Sequence, residues 1–180
     1  MPRFKRTAHR VSLTAMFASM SLLFLYIASI PGSPVSIAMY FLSSVFVMGL
    51  VLEEEIGLAF LMFAAVSLLS LLLMPDRLMV IPYIIFFGHY GIGKFFIETH
   101  IRDKIVRYIV KLLYYNVALI LVYLIAQVVS SQALDNLIAF NISLWLLIPL
   151  AEIAFVLYDF LFTKVTGYYF NNMRRFLMKN

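Results

Sequence analysis

Cysteine is absent from the 180 residues, which excludes disulfides, thiolate metal ligands and cysteine nucleophiles together. Charge is scarce as well. Asp, Glu, Lys and Arg make up 13% of the chain, about half the roughly 25% of an ordinary soluble domain. Histidine occurs only at His9, His89 and His100, with no HxxxH or HExxH spacing to set two imidazoles on one helical face; no metal site is expected. There is no glycine-rich phosphate loop, no Ser-His-Asp order and no carboxylate pair at a defined spacing. A chain without these groups is not expected to be an enzyme, and no catalytic residue or cofactor is assigned.

What the chain does have is apolar length. Hydrophobic residues account for 64%, more than a soluble core of this size can hide. The reading is an all-α integral membrane protein, a compact bundle of six transmembrane helices in a single domain over residues 1–180. The expected spans are 11–30, 35–52, 56–73, 78–97, 112–129 and 137–162, each long enough for a bilayer's ~30 Å hydrocarbon core. The turns fall at Pro31-Gly32-Ser33-Pro34, at Glu53-Glu54-Glu55 (read as a solvated cap), at Met74-Pro75-Asp76 and over the polar segment 130–136. Residues 98–111 carry six charged side chains around Ile101, Ile105, Tyr108 and Ile109, the pattern of an amphipathic segment lying in the cytoplasmic interface.

Orientation follows from the basic residues. With six spans, 13 of the 14 Lys and Arg gather on the side of the two termini, leaving only Arg77 opposite. Both termini are therefore expected in the cytoplasm of a cell-membrane protein. The net charge of +5 is then explained by anionic lipid headgroups, with no nucleic-acid partner needed.

The stretch 75–98, PDRLMVIPYIIFFGHYGIGKFFIE, differs from the other spans. Pro82, Tyr83, His89, Tyr90 and Lys94 are groups that hydrocarbon does not favour, so this helix is expected to face protein or a cavity. Tyr83, Phe87, Tyr90 and Lys94 recur at helical spacing. They predict one wall of an outward-opening substrate cavity from Tyr83, Phe87 and Tyr90, completed by Asn116 or Gln127 on the fifth span and Glu152 on the sixth. Glu152, just after Pro149, sits well inside its span, where a carboxylate costs about 2.5–3.5 kcal/mol and needs a partner. It is either a ligand contact or a structural acceptor for Asn116 or a tyrosine. His89 is read as a hydrogen-bonded core group or a ligand contact, Lys94 as able to meet Glu98 one turn later but favoured as snorkelling to the cytoplasmic interface, and Asp159 as solvated or paired with Lys164.

The first span carries Thr14, Ala15, Ala18, Ser19 and Ser21. Ala15-x-x-x-Ser19 and Thr14-x-x-x-Ala18 place small residues one turn apart, which lets another helix approach closely. Ala15, Ala18 and Ser19 are the candidate partner-docking face.

Six spans, inside termini, minimal loops, the small-residue first helix and the phrases LLLMPDRL, IPYIIFFGHYGIGKFFIE and KLLYYNVAL resemble the substrate-binding S components of energy-coupling-factor transporters. In that family an A-x-x-x-A motif on the first helix docks on the coupling subunit; Ala15 matches its first position and Ser19 stands at its second. The resemblance implies binding of a vitamin or other micronutrient at the outer face. It also implies two kinds of partner, a transmembrane coupling subunit and separate ATPase subunits, with a small-molecule substrate left unspecified. A non-catalytic scaffold of a cell-envelope complex is the alternative, and a lipid-modifying membrane enzyme is a weaker one.

Overall fold

The computed structural model describes residues 3–30, 35–129 and 144–168. These form helices and no β-strand. The six α-helices among them are α1 (Arg3–Ala28), α2 (Ser36–Leu52), α3 (Ile56–Leu73), α4 (Gly88–His100), α5 (Lys104–Val129) and α6 (Leu144–Tyr168). A 3₁₀ turn at Leu78–Val80 and a π-helical turn at Tyr83–Phe87 lead into α4. The turn at 31–34, the segment 130–136, the expected start of the sixth span and the tail after 168 lie outside the described residues.

Four stretches, Arg10–Ala28, Ile56–Leu73, Leu78–His100 and Lys104–Ile125, are long and apolar enough to cross a membrane, and Ser36–Leu52 is a shorter apolar helix. Their outward faces carry Leu61, Leu68, Leu72 and Leu73 on α3 and Ile105, Leu113, Ile120 and Leu124 on α5, all exposed. A helix apolar on its outside as well as its inside is what lipid, and not water, accommodates.

The helices run alternately up and down. Arg10 on α1 meets Glu55, just before α3, at 2.8 Å, and Lys111 on α5 meets Glu98 on α4 at 2.6 Å. The α2–α3 turn closes tightly. Glu54 N–H donates to Val51 O at 3.1 Å and Glu55 N–H to Leu50 O at 3.0 Å, capping the last carbonyls of α2. Glu54 takes the left-handed conformation this cap needs, at φ 63°. Between α1 and α2, Ser21 and Ser43 pack oxygen to oxygen at 2.5 Å and are fully buried; small side chains permit that approach.

The fourth span is the bundle's axis. It is the most buried of the four membrane-length stretches, at 44%, against 11% for Lys104–Ile125. Its glycines explain why. A Cβ at Gly88 would lie 2.6 Å from Phe63 Cε2 of α3, and one at Gly91 3.1 Å from Met48 Cβ of α2 and 3.3 Å from Phe162 of α6. Neighbours on different sides therefore close directly onto its backbone.

Two boundaries differ from the sequence reading. Residues 98–111 do not form a separate interfacial helix: α4 continues to His100, 101–103 break the chain, and α5 starts at Lys104. Asp103 makes the break, its side chain accepting Ile105 N–H at 2.9 Å and its carbonyl accepting Arg107 N–H at 3.0 Å, an N-terminal cap. Lys111, within that segment, is turned into the bundle at 3% exposure. The sixth helix also runs past 162, to Tyr168.

Candidate functional site

Pro82 sets the geometry of the site. It has no N–H to give a helix, and its ring crowds the turn before it. The chain widens immediately afterwards into the π turn, closed by Gly88 N–H on Tyr83 O. Such turns concentrate where a helix does something besides packing. The wide turn also shifts phase. Tyr83 lines up with Gly88, where an added Cβ would meet Tyr83 Cε1 at 2.9 Å, and not with Phe87. The expected common face of Tyr83, Phe87 and Tyr90 is therefore divided among three neighbours.

Tyr83 turns to α1 and α2, its hydroxyl 3.5 Å from Ser21 Oγ, fully buried. Phe87 stacks on Tyr40 at 5.3 Å and lines a cavity of about 340 Å³ between α2, the Pro82 turn, α5 and α6. Tyr90 lies deeper, its ring against Phe86 at 4.9 Å and Tyr158 at 5.1 Å; its hydroxyl donates to Asp159 Oδ1 at 2.6 Å.

The cavity wall is aromatic. Tyr115 on α5 stacks on Phe155 of α6 at 4.5 Å and 11°, and Phe86 meets Tyr115 edge-on at 5.3 Å. Ala118, Leu119 and Val122 of α5, Ile37 of α2 and Ala154 of α6 complete the lining. Every tyrosine hydroxyl in this wall is already committed. Tyr40 donates to Met79 O, and Tyr115 to Ala151 O at 3.1 Å. Ser44 donates to Phe41 O at 2.7 Å, so it is Tyr158 that donates in the 3.1 Å bond to Ser44 Oγ.

Below the aromatic wall lies a buried ionic network of which the sequence reading held only the Lys94–Glu98 contact. Lys94, Lys111 and Asp159 are 1%, 3% and 4% exposed. Lys94 Nζ donates to Asp159 Oδ1, and to Thr163 Oγ1 at 2.7 Å. Lys111 Nζ reaches Asp159 Oδ2 at 3.0 Å and Glu98 Oε1 at 2.6 Å, and Lys94 stands 3.4 Å from the same Glu98 oxygen. Two cations face two carboxylates, so the cluster is formally neutral. It ties α4, α5 and α6 at the end of the bundle that holds Arg10 and Glu55. This corrects two expectations. Lys94 points inward instead of snorkelling, because Asp159 offers it a charge that the interface does not. Asp159 is buried and pairs with Lys94 and Lys111, while Lys164 lies over the Phe160 ring at 5.4 Å.

The remaining candidates lie beside these features. Asn116 Nδ2 donates to Glu152 Oε1 at 2.7 Å across α5 and α6, while Glu152 Oε2 is buried with no hydrogen-bond partner among the described residues. Neither residue lines the cavity. Gln127 is exposed and donates to its neighbour Tyr123 at 2.7 Å. His89 Nδ1 and the Tyr114 hydroxyl share a hydrogen bond. On α1, Ala15 and Ser19 are exposed, with Ser19 Oγ bonded back to Ala15 O at 2.8 Å, whereas Ala18 packs partly against the core. Among the described residues no group of His, Asp and Glu is arranged to hold a metal ion.

No family model matches this chain, and neither a curated protein nor a solved structure is significantly similar to it.

Proposed function

We propose that this chain is the substrate-binding membrane subunit of an uptake transporter, a six-span protein with both termini in the cytoplasm that receives a small molecule in the outer half of the bundle. The single observation that carries this reading is the aromatic cavity of about 340 Å³, which falls in the size range of small-ligand sites, roughly 300–1,000 Å³. Its orientation rests on the 13 of 14 basic residues assigned to the side of the termini. The cavity then belongs to the outer half, and the ionic network to the cytoplasmic half.

The subunit has no means of driving transport itself. Energy comes from separate ATPase subunits through a transmembrane coupling subunit, as the resemblance of the first helix implies. Ala15 and Ser19, exposed on α1, are its contact with that subunit, and Ala18 supports them from the core side. Native mass spectrometry of mildly purified protein tests the proposal. A co-purified small molecule together with coupling subunits is the expected result; a bare chain, with Ala15→Leu/Ser19→Leu changing no association, overturns it. Single cysteines at Ser33 and Asn180 test the orientation. An impermeant reagent applied to intact cells should label Ser33→Cys and leave Asn180→Cys unlabelled.

A further inference from the structure

The chemistry of the cavity narrows the substrate class. We infer that the cavity takes the hydrocarbon chain of a single-chain amphiphile dissolved in the bilayer, and not a polar, water-soluble compound; this rests on the substrate-binding reading above. Three observations converge. First, among the described residues the wall offers rings and no free hydroxyl donor, because Tyr40, Tyr115 and Tyr158 all donate their hydroxyls to protein acceptors. A polar ligand would leave its own groups without partners there, a loss of selectivity as well as affinity.

Second, the mouth is apolar. Among the wall residues, Ile37, Leu119 and Ala154 are the exposed ones, and the surface around them continues with Leu150, Ile153 and Leu157 of α6 and Ile120 of α5, all exposed. An opening framed, among the described residues, by aliphatic groups of the apolar helices α2, α5 and α6 is wetted by lipid and not by water. Third, the charged groups beneath the wall, Lys94, Lys111, Asp159 and Glu98, are saturated by one another, and Glu152, whose Oε2 has no hydrogen-bond partner among the described residues, lines no part of the cavity. Lys94 and Lys111 spend their donors on Asp159, Glu98 and Thr163, so the inner end holds no receptor for a headgroup, and the head stays at the outer rim. The volume of about 340 Å³ lies at the small end of ligand sites, which suits one chain and not the paired chains of a phospholipid.

The test uses the full chain in phosphatidylcholine–phosphatidylglycerol nanodiscs with two photoreactive probes, palmitate carrying a mid-chain diazirine and a phosphatidylcholine carrying the same chain. Labelled peptides are mapped by mass spectrometry. The palmitate probe should label Phe86, Tyr115 or Phe155 saturably. Excess unlabelled palmitate should abolish that labelling, and Ala118→Trp should weaken it about tenfold. Ala154→Trp, at the exposed mouth where no core must be repacked, should do the same and serves if Ala118→Trp does not fold. The phosphatidylcholine probe should label only outward faces such as α3. Unsaturable palmitate labelling spread over all exposed helices overturns the inference, and so does equal labelling of the cavity by phosphatidylcholine, which makes it a lipid-filled crevice. A polar molecule co-purifying with coupling subunits, with the cavity unlabelled, sinks the inference and leaves the transporter reading intact. Saturable labelling without any coupling partner does the reverse.

Discussion

The ionic half of the bundle and the cavity half are built from the same helices, and they differ in where their polar atoms go. Around Lys94, Lys111 and Asp159, polar groups point at one another and the helices are drawn together. Around Phe87, Tyr115 and Phe155, each hydroxyl is turned away to a backbone or serine acceptor, and a void remains between rings. Tyr90 belongs to both, its ring against Phe86 and Tyr158 and its hydroxyl on Asp159. The contrast teaches that buried charge here serves to fix helices, while the cavity wall is made by withholding polarity.

The strongest way to break this division is at Asp159. Asp159→Asn leaves two buried lysines facing one partly exposed carboxylate, and a loss of about 3–5 kcal/mol is expected for an uncompensated buried charge, read as a fall in thermal midpoint in detergent. Removing the whole network together, with Lys94→Met, Lys111→Met, Glu98→Gln and Asp159→Leu, should be milder than the single change. If the quadruple variant is the less stable of the two, charge pairing is not the network's role. Next in size is Gly88→Ala, at the border of the two halves. The new methyl would press on Phe63 and Tyr83, and overpacking of about 1–3 kcal/mol is expected, with palmitate labelling shifted because the π turn must move.

Tyr115→Phe sharpens the cavity side. It strips the donor to Ala151 O but keeps the stacked ring, so a loss of about 1 kcal/mol is expected with chain labelling unchanged; a change in labelling would mean the hydroxyl faces the ligand after all. The smallest effect lies outside both halves. Glu54→Gly relieves the left-handed strain at φ 63°. A gain of up to about 1 kcal/mol is expected, visible as a small rise in midpoint without any change in labelling.

The helical, membrane-length character of the chain was legible because composition alone decides it, and the fourth span's central place showed in its glycines and polar groups. Glu152 drew attention as a carboxylate in an apolar run, and Asn116 does donate to it. The shared face of Tyr83, Phe87 and Tyr90 was not legible as it stands, since a regular 3.6-residue period has no place for the wide turn after Pro82. Nor was the Lys94–Asp159 pair, whose members stand 65 residues apart. Only the packing of α4 against α6 brings them together, and each taken alone looks like a residue at the edge of the membrane. A signal was present nonetheless. Lys94, Lys111 and Asp159 are charges set inside apolar helices, and with Glu98 their signs cancel.

The wide turn at Tyr83–Phe87 also bears on how this helix tolerates insertions and deletions. A residue added to or removed from an α-helix rotates everything beyond it by about 100°, which would swing Lys94 away from Asp159. Here the ladder already carries slack of one residue. Loss of a residue between Tyr83 and Phe87 can be absorbed by tightening that turn to α geometry, leaving both the screw of Gly88–His100 and the short piece before the turn in register. The turn works as a phase joint: one residue can be lost there without re-indexing the charges beneath the cavity.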